Sequence, residues 1–148
     1  MSVDVAVAEA ATDELLEAMN RLLPQLSSRA GALDLASLAD LLGQDALTLF
    51  VARAEARIVG VLSLVVFDIP TGRRAWIEDV VVDGAARGLG AGEALTRAAV
   101  AHASERGLSE VDLTSRPSRE AANSLYQKVG FERRETNVYR FFIETRSH

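Results

Sequence analysis

The 148-residue chain has no cysteine and only two histidines, His102 and the terminal His148. Without thiols, the chain cannot form disulfides, thiolate metal sites or a cysteine nucleophile. Two histidines leave almost nothing from which to build a multi-histidine metal centre or a Ser/His/Asp relay. The sequence therefore predicts a protein without a metal site, whose chemical groups are carboxylates, tyrosine and serine hydroxyls and backbone amides.

Long apolar runs and a basic N-terminal stretch are also lacking. No apolar run reaches the roughly 18 residues expected of a transmembrane helix. The first ten residues contain Asp4 and Glu9 but neither lysine nor arginine, which is unlike a signal peptide. We therefore expect a cytoplasmic protein with no membrane partner. The net charge of −5 also disfavours a nucleic-acid partner, since affinity there depends on lysine and arginine neutralising phosphates.

The length and composition are those of an ordinary globular protein. Apolar residues make up 49% of the chain and charged residues 25%, which predicts a single domain over residues 1–148 with one complete core. Charge is uneven, because residues 1–83 hold 13 acids and 6 bases while residues 84–148 hold 8 acids and 10 bases. The second half suits an anion better, although surface charge can also differ between halves without functional meaning.

Periodicity and turn residues predict an α/β fold with a mixed sheet. Alternating apolar residues predict strands over residues 3–8, 47–52, 58–67, 74–82, 110–114, 131–135 and 138–143. Cap residues and helical periodicity predict helices over residues 12–23, 34–42, 90–106 and 118–129. The resulting order, βααβββαβαββ, contains no repeat or linker, and strands alternate with helices in its second half as in α/β domains.

A glycine-rich turn, Arg87-Gly88-Leu89-Gly90-Ala91-Gly92, joins the apolar strand that ends at Val82 to a predicted helix. Free N–H groups and the positive end of the helix dipole favour an anion there, and glycines let phosphate oxygens approach the backbone. No Gly-Lys-Ser/Thr follows, which excludes a P-loop, and Glu93 replaces the third glycine of a dinucleotide fingerprint. The turn predicts a phosphorylated ligand of another kind.

Two motifs resemble the GCN5-related N-acetyltransferase (GNAT) superfamily. The turn from Arg87 to Gly92 resembles the family's Arg/Gln-x-x-Gly-x-Gly/Ala loop, and Ala122 to Phe131 resemble its A-x-x-L-Y-x-x-x-G-F segment. The resemblance implies a mixed, mostly antiparallel sheet flanked by helices, with a splayed parallel strand pair formed by residues 74–82 and 110–114. One position departs from the family: Arg119 stands where many members have a cofactor-contacting asparagine.

The resemblance also implies acetyl-CoA as co-substrate, with no metal. Its diphosphate would lie on the backbone amides of Arg87, Gly88, Leu89, Gly90, Ala91 and Gly92. Its pantetheine arm would pair with the strand edge at Val80, Val81 and Val82 as an added strand does. An apolar strand of this kind is normally only core, and an opened edge is needed before its backbone groups can bind a ligand.

Tyr126 lies in the second motif, and in the family this tyrosine sits near the thioester sulfur as a common general acid. The resemblance implies the same role here. The residues leave a second role open, because Gly130 is placed to end the helix and Phe131 would then contact Tyr126 in a Schellman motif. The two roles can coexist.

Glu78 and Asp79 interrupt an otherwise apolar strand. Charged side chains are rare in a central strand unless they are paired or used. Strand alternation sends the two carboxylates to opposite faces, so one can enter a cleft while the other bonds to a helix end or an arginine. The resemblance favours Glu78 as the cleft residue, acting as a base or attracting a cationic amine, with a structural ion pair as the alternative.

The predicted function is transfer of an acetyl group from acetyl-CoA to a primary amine of a small molecule or peptide, by direct attack of the amine on the thioester. The alternative is a non-catalytic acyl-CoA-binding or regulatory domain of the same fold. A homodimer is a further expectation. His102 is interpreted as a packed or surface residue and not as a catalytic one. Four aromatic residues are interpreted as filling a core or a strand face: Trp76, Tyr139, Phe141 and Phe142.

Overall fold

A four-stranded antiparallel sheet forms the centre of the protein. The computed structural model describes residues 2–144. The strands pair in the order β1-β2-β3-β4, which is also their order in the chain. The strands are β1 (Val3–Val7), β2 (Leu47–Ala54), β3 (Arg57–Ile69) and β4 (Gly72–Val82), and the helices are α1 (Asp13–Leu26), α2 (Leu35–Leu42), α3 (Ala91–Glu105) and α4 (Glu120–Val129), with a 3₁₀ turn at Gly84–Ala86.

Helices cover both faces of the sheet. Leu22 of α1 and Leu38 of α2 are fully buried on the face that carries Val61 and Val81. Leu95 of α3 is fully buried on the opposite face, with the core residues of β2 to β4 that point that way. Burying one such leucine contributes about 1.5–3 kcal/mol, so these two layers fix the helices that flank β4.

The first helix is longer than predicted. Its start is as expected, because Thr12 caps it by accepting a hydrogen bond from the Leu15 N–H at 3.1 Å. Its end lies at Leu26 instead of residue 23, with Pro24 inside the helix. Proline removes one backbone donor, but the helix continues past it for two residues. The N–H of the capping residue Ser27 then donates to the Leu23 carbonyl at 3.0 Å.

A bulge interrupts β4 at Asp79. Ser63 pairs with Glu78 and Val61 with Val81, so two residues of β4 lie opposite the single residue between them on β3. Asp79 has φ +48°, which is unusual for a residue with a side chain. The bulge reverses the faces of the strand: Ile77 belongs to the α3-side core, and Val81, four residues later, belongs to the α1-side core.

The predicted parallel neighbour of β4 is present but far shorter than expected. Instead of a strand over residues 110–114, a single parallel bridge joins Trp76 to Asp112. The Asp112 N–H donates to the Ala75 carbonyl at 3.0 Å, and the Ile77 N–H donates to the Asp112 carbonyl at 2.9 Å. The pair separates immediately before the bulge, which bends β4 away and explains the lost pairing.

The two strands predicted over residues 131–135 and 138–143 are wrong, because residues 131–144 contain no strand. The interpretation of the aromatic tail as packing residues is wrong as well. Five large apolar side chains are 75–89% exposed: Val138, Tyr139, Phe141, Phe142 and Ile143. Alternation predicts a strand only where a neighbouring edge completes its hydrogen bonds, and no such edge meets this segment within residues 2–144. In the same range, no helix is both long and apolar enough to cross a bilayer.

Candidate active site

The glycine-rich turn presents unbonded backbone amides at the start of α3. Gly88 has φ +87° and Gly90 φ +83°, left-handed conformations that favour glycine. The first bond of α3 runs from the Ala94 N–H to the Gly90 carbonyl at 3.0 Å, so the amides of residues 91–93 have no partner within the helix. A carbon added at Gly88 or Gly90 would meet no atom within 4 Å. The turn is therefore open to an anionic ligand.

The end of the turn also serves packing. Ala91 is buried and Leu89 half-buried in the α3-side core. A carbon added at Gly92 would lie 3.1 Å from Leu125 Cδ2 and 3.7 Å from Val82 Cγ2. Gly92 thus lets α4 approach α3 closely at Leu125, the residue before Tyr126.

Two carboxylates flank the turn, and each is paired with a cation. Asp83 accepts a hydrogen bond from Arg21 at 2.6 Å. Glu93 is bound by Lys128 at 2.8 Å and Arg97 at 3.1 Å, and these two hydrogen bonds, Lys128's first, lower the pKa of Glu93.

Arg87, by contrast, is exposed and forms no ion pair in residues 2–144. With both flanking carboxylates neutralised, Arg87 and the helix dipole leave the turn electropositive, as an anion site requires.

The edge of β4 leads directly into this turn. Val81 is buried, while Val80 and Val82 are half-buried on the α3 side. Beyond the Trp76–Asp112 bridge, no strand within residues 2–144 pairs with β4 on the side away from β3. The backbone of this edge is therefore available to an extended ligand that adds to the sheet as a strand.

Tyr126 is buried, with 7% of its surface exposed. The Schellman motif considered from the sequence is confirmed: the Phe131 N–H donates to the Tyr126 carbonyl at 2.9 Å and the Gly130 N–H to the Gln127 carbonyl at 3.1 Å. The Tyr126 and Phe131 rings meet edge to face at 5.9 Å. Burial raises the pKa of Tyr126 above its usual value, and the charge of Arg119 opposes this only in part. The hydroxyl therefore holds its proton at neutral pH.

Glu78 and Asp79 are both exposed, and neither side chain forms a hydrogen bond or ion pair with any other residue in the range 2–144. The structural ion pair considered for Glu78 has no partner there. The partner expected for the second carboxylate is also missing, because the bulge at Asp79 overrides the simple alternation on which that expectation rested. Glu78 pairs with Ser63 and directly follows Ile77, whose side chain lies in the α3-side core. Since neighbouring residues of a strand face opposite sides, Glu78 lies on the face covered by α1 and α2.

Two polar residues, one just before α4 and one in its first turn, were not singled out from the sequence. Asn123 Nδ2 donates to the carbonyls of Arg116 and Arg119, both at 2.9 Å, and so holds the connection that carries Arg119. Ser115 Oγ is buried without a hydrogen-bond partner in the part of the chain that is described. An asparagine in the first turn of a helix is a visible signal for the first contact, whereas the second depends on tertiary placement.

The remaining groups do not suggest other chemistry. His102 packs edge to face on Phe50, with ring centroids 5.5 Å apart, so its interpretation as a packing residue is confirmed. Between residues 2 and 144, no group of three or more histidine, aspartate or glutamate side chains is placed to hold a metal ion.

Comparisons with known proteins agree with this geometry. Glucosamine 6-phosphate N-acetyltransferase 1 of Oryza sativa subsp. japonica is 39% identical over 71 residues, which cover 48% of this chain and 41% of that protein. Across three curated relatives, the matched part spans only 16–41% of the relative's length.

Solved structures share the fold over nearly the whole chain. An acetyltransferase of Trypanosoma brucei is 28% identical with a TM-score of 0.73, covering 95% of this chain and 100% of that chain. A predicted acetyltransferase from Clostridium acetobutylicum, solved with acetyl-CoA, is 18% identical with a TM-score of 0.71, covering 94% and 96%. The sequence model of the Acetyltransferase (GNAT) family matches residues 12–131. The protein therefore belongs to the GNAT acetyltransferase family.

Proposed function

We propose that the protein transfers an acetyl group from acetyl-CoA to a primary amine of a small molecule or peptide, by direct attack of the amine on the thioester. The observation that carries this proposal is the continuity of the open β4 edge with the glycine-rich turn. An extended ligand with an anionic end fits that combination, and pantetheine diphosphate has this chemistry.

Each part of acetyl-CoA has residues to hold it. The amides of Ala91, Gly92 and Glu93, with Arg87 beside them, would bind the diphosphate, helped by the open space over Gly88 and Gly90. The edge of β4 from Val80 to Val82 would bind the pantetheine amides. This arrangement directs the thioester end along β4 toward Glu78.

Acetyl-CoA supplies an electrophilic thioester carbonyl. The amine nitrogen forms a bond to the carbonyl carbon and the carbon–sulfur bond breaks, which leaves a thiolate that needs a proton. The Tyr126 hydroxyl is the proposed donor, because burial keeps it protonated. Amines are mostly cationic at neutral pH and must lose one proton before attack. The unpaired Glu78 carboxylate is the proposed acceptor of that proton, through a water, or the group that attracts the cation. After attack the nitrogen releases a second proton to water and Tyr126 regains its proton from water, so the products are the amide, the CoA thiol and one free proton.

The acceptor class remains broad within this proposal. The rice relative carries glucosamine 6-phosphate in its name, which supports testing amino sugars first, followed by polyamines, amino acids, aminoglycosides and peptide N-termini. The proposed homodimer is supported by the exposed apolar side chains of residues 138–143, which a second copy would cover. The cytoplasmic location stays a prediction.

A thiol-release assay with acetyl-CoA over these acceptor classes tests the function. We expect release that depends on one class of amine and an acetylated product by mass spectrometry. Binding of acetyl-CoA in a titration, with no release on any acceptor, would instead support the non-catalytic acyl-CoA-binding alternative. Absence of both binding and release would contradict the proposed function itself.

A further inference from the structure

A buried network joins α1 to the connection between β4 and the glycine-rich turn. Arg21 Nη1 donates to Asp83 Oδ2 at 2.6 Å, and Arg21 Nη2 donates to the Ile58 carbonyl at 2.9 Å. The side chains of Arg21 and Asp83 are only 19% and 12% exposed. The contact spans 62 residues of sequence and joins three elements, so it is far more constrained than a surface ion pair.

The same network fixes the backbone that precedes the turn. Asp83 Oδ1 accepts from the Ala85 N–H at 3.0 Å, and the Ala86 N–H donates to the Asp83 carbonyl at 2.9 Å. Gln25 Oε1 accepts from the Gly84 N–H at 2.9 Å, while Gln25 Nε2 lies 3.5 Å from Asp83 Oδ1. All three amides between Asp83 and Arg87 are therefore held by Asp83 or by Gln25 of α1.

The negative charge of Asp83 also opposes the binding of an anion at the turn. The Ala85 N–H lowers the pKa of the carboxyl most; burial raises it, and Gln25 and Arg21 lower it further, so that its pKa lies below the ordinary value. A full negative charge thus sits four residues before Arg87, next to the turn proposed to bind a diphosphate. Unless it is neutralised, this charge repels the ligand in a region that water screens poorly.

We propose that Arg21 is a positioning residue for acetyl-CoA, holding Asp83 in place and cancelling its charge so that the turn can accept a diphosphate. This inference rests on the proposed function, since it concerns the same ligand. It adds that helix α1, which contributes nothing to the turn's own sequence, sets the affinity of the turn for phosphate.

Calorimetric titration of CoA into four variants tests the proposal. Arg21→Met leaves Asp83 charged and should raise the CoA Kd about tenfold or more, most strongly at low salt. Asp83→Asn, which can still accept from the Ala85 N–H, should bind CoA nearly as the wild type does. The Arg21→Met/Asp83→Asn double variant should recover affinity to within about threefold of wild type, because the buried carboxylate is gone. The other partner of Arg21, Glu17 at 3.0 Å, is 65% exposed, so water screens the charge it retains.

Arg53→Met is the matched control, because Arg53 forms an ion pair with Glu14 on the same helix but away from the turn. It should leave the CoA Kd unchanged. A purely structural role predicts a different pattern: melting temperature and affinity fall together, and the double variant binds no better than Arg21→Met. That pattern, or an unchanged Kd in Arg21→Met, would overturn the inference.

Two other results, an Arg21→Met variant that does not fold and a wild-type protein that does not bind CoA, can be told apart from these. If Arg21→Met does not fold, Arg21→Lys keeps the charge without the fork geometry, and a CoA Kd within about threefold of wild type is then expected; a loss of tenfold or more would overturn charge cancellation. If the wild-type protein itself does not bind CoA, the proposed function fails before the role of Arg21 is reached.

Discussion

The two edges of β4 differ in how completely their backbone is used. On one edge, β3 pairs along nearly the whole length of the strand, from Val82 opposite Gly60 to Gly72 opposite Ile69. On the other edge, the Trp76–Asp112 bridge stands alone in residues 2–144. Both edges belong to a strand whose side chains reach the cores on both faces of the sheet.

Buried backbone groups in folded proteins are nearly always hydrogen-bonded, so an edge left open in the middle of a domain indicates a missing partner. The charged side chains at the two ends of the open edge agree, because neither Arg87 nor Glu78 has an ion pair among the residues described. The contrast predicts that changes at the open edge alter chemistry more than stability. Changes along the edge paired with β3 and in the two cores should do the reverse.

The largest expected effect is that of Gly90→Val. Valine at φ +83° costs roughly 1–2 kcal/mol or more in the left-handed region and places a branched side chain over the free amides, so acetyl-CoA binding should be lost. Gly107→Val is the matched control, because Gly107 lies just beyond the other end of α3 at φ +79° with equally open surroundings. Calorimetric titration should show binding only in the control, with similar melting temperatures. Equal affinities in the two variants would remove the turn from the site.

Tyr126→Phe should come next in size. Loss of the proton donor should lower kcat by about 10²-fold or more, with the acetyl-CoA KM little changed. The ring contact with Phe131 is preserved, so stability should not fall. Tyr139→Phe, at the other tyrosine of the chain, should behave as wild type because Tyr139 is exposed. Steady-state kinetics decide the matter, and wild-type turnover in Tyr126→Phe would leave Tyr126 as a helix-end residue only.

The pH dependence of kcat gives a second test of Tyr126 as the general acid. Since burial raises the pKa of Tyr126, a general acid there should keep its proton, and wild-type kcat should not decline until the pH exceeds the ordinary tyrosine value of about 10. Tyr126→Phe should lack that decline. A wild-type kcat that falls well below this pH would point to another donor.

Glu78→Gln should have a smaller effect, because rising pH supplies free amine without a base. We expect a fall in kcat/KM that shrinks between about pH 6 and 10. If Glu78 is a base, kcat measured at saturating acceptor should fall as well. Asp79→Asn, the adjacent exposed carboxylate, is the control and should change kinetics little. A rise in the acceptor KM alone would show that Glu78 attracts the cation, and unaltered kinetics would exclude it from the reaction.

The smallest effect concerns stability in acid. Because the folded-state pKa of Asp83 is lowered, its stabilising contribution is present above the unfolded pKa of about 3.9 and is lost as the pH falls through the folded value. Urea unfolding at pH 7 and near pH 3 should show a larger loss of stability in the wild type than in Asp83→Asn. An equal loss in the two proteins would mean that the contacts of the ionised Asp83 carboxylate, with the Ala85 N–H first and then with Gln25 and Arg21, do not stabilise the folded state.

Sequence reasoning succeeded where the signals were local. The turn from Arg87 to Gly92 was predictable because glycine conformation and helix starts depend on neighbouring residues, and the Schellman end at Gly130 follows from one glycine in the right place. The family fold followed from two motifs of this kind.

What could not be predicted depends on distant partners. The Arg21–Asp83 contact joins residues far apart in sequence, and no local sequence pattern predicts it. The segment after Phe131 alternates like a strand but has no edge beside it, and alternation alone cannot supply one. The bulge at Asp79 was missed because aspartate and valine neighbours carry no glycine signal for a positive φ.

That bulge gives β4 a property that substitution tables do not describe. Removing Asp79 would restore regular alternation without moving any valine to another layer: Val80 and Val82 would stay on the α3 side and Val81 on the α1 side. A one-residue deletion at this position would thus remove the local bend and added twist of β4 while leaving every side chain in its present layer. The extra residue consequently shapes the open edge and not the two cores, so its loss should change ligand binding more than it changes stability.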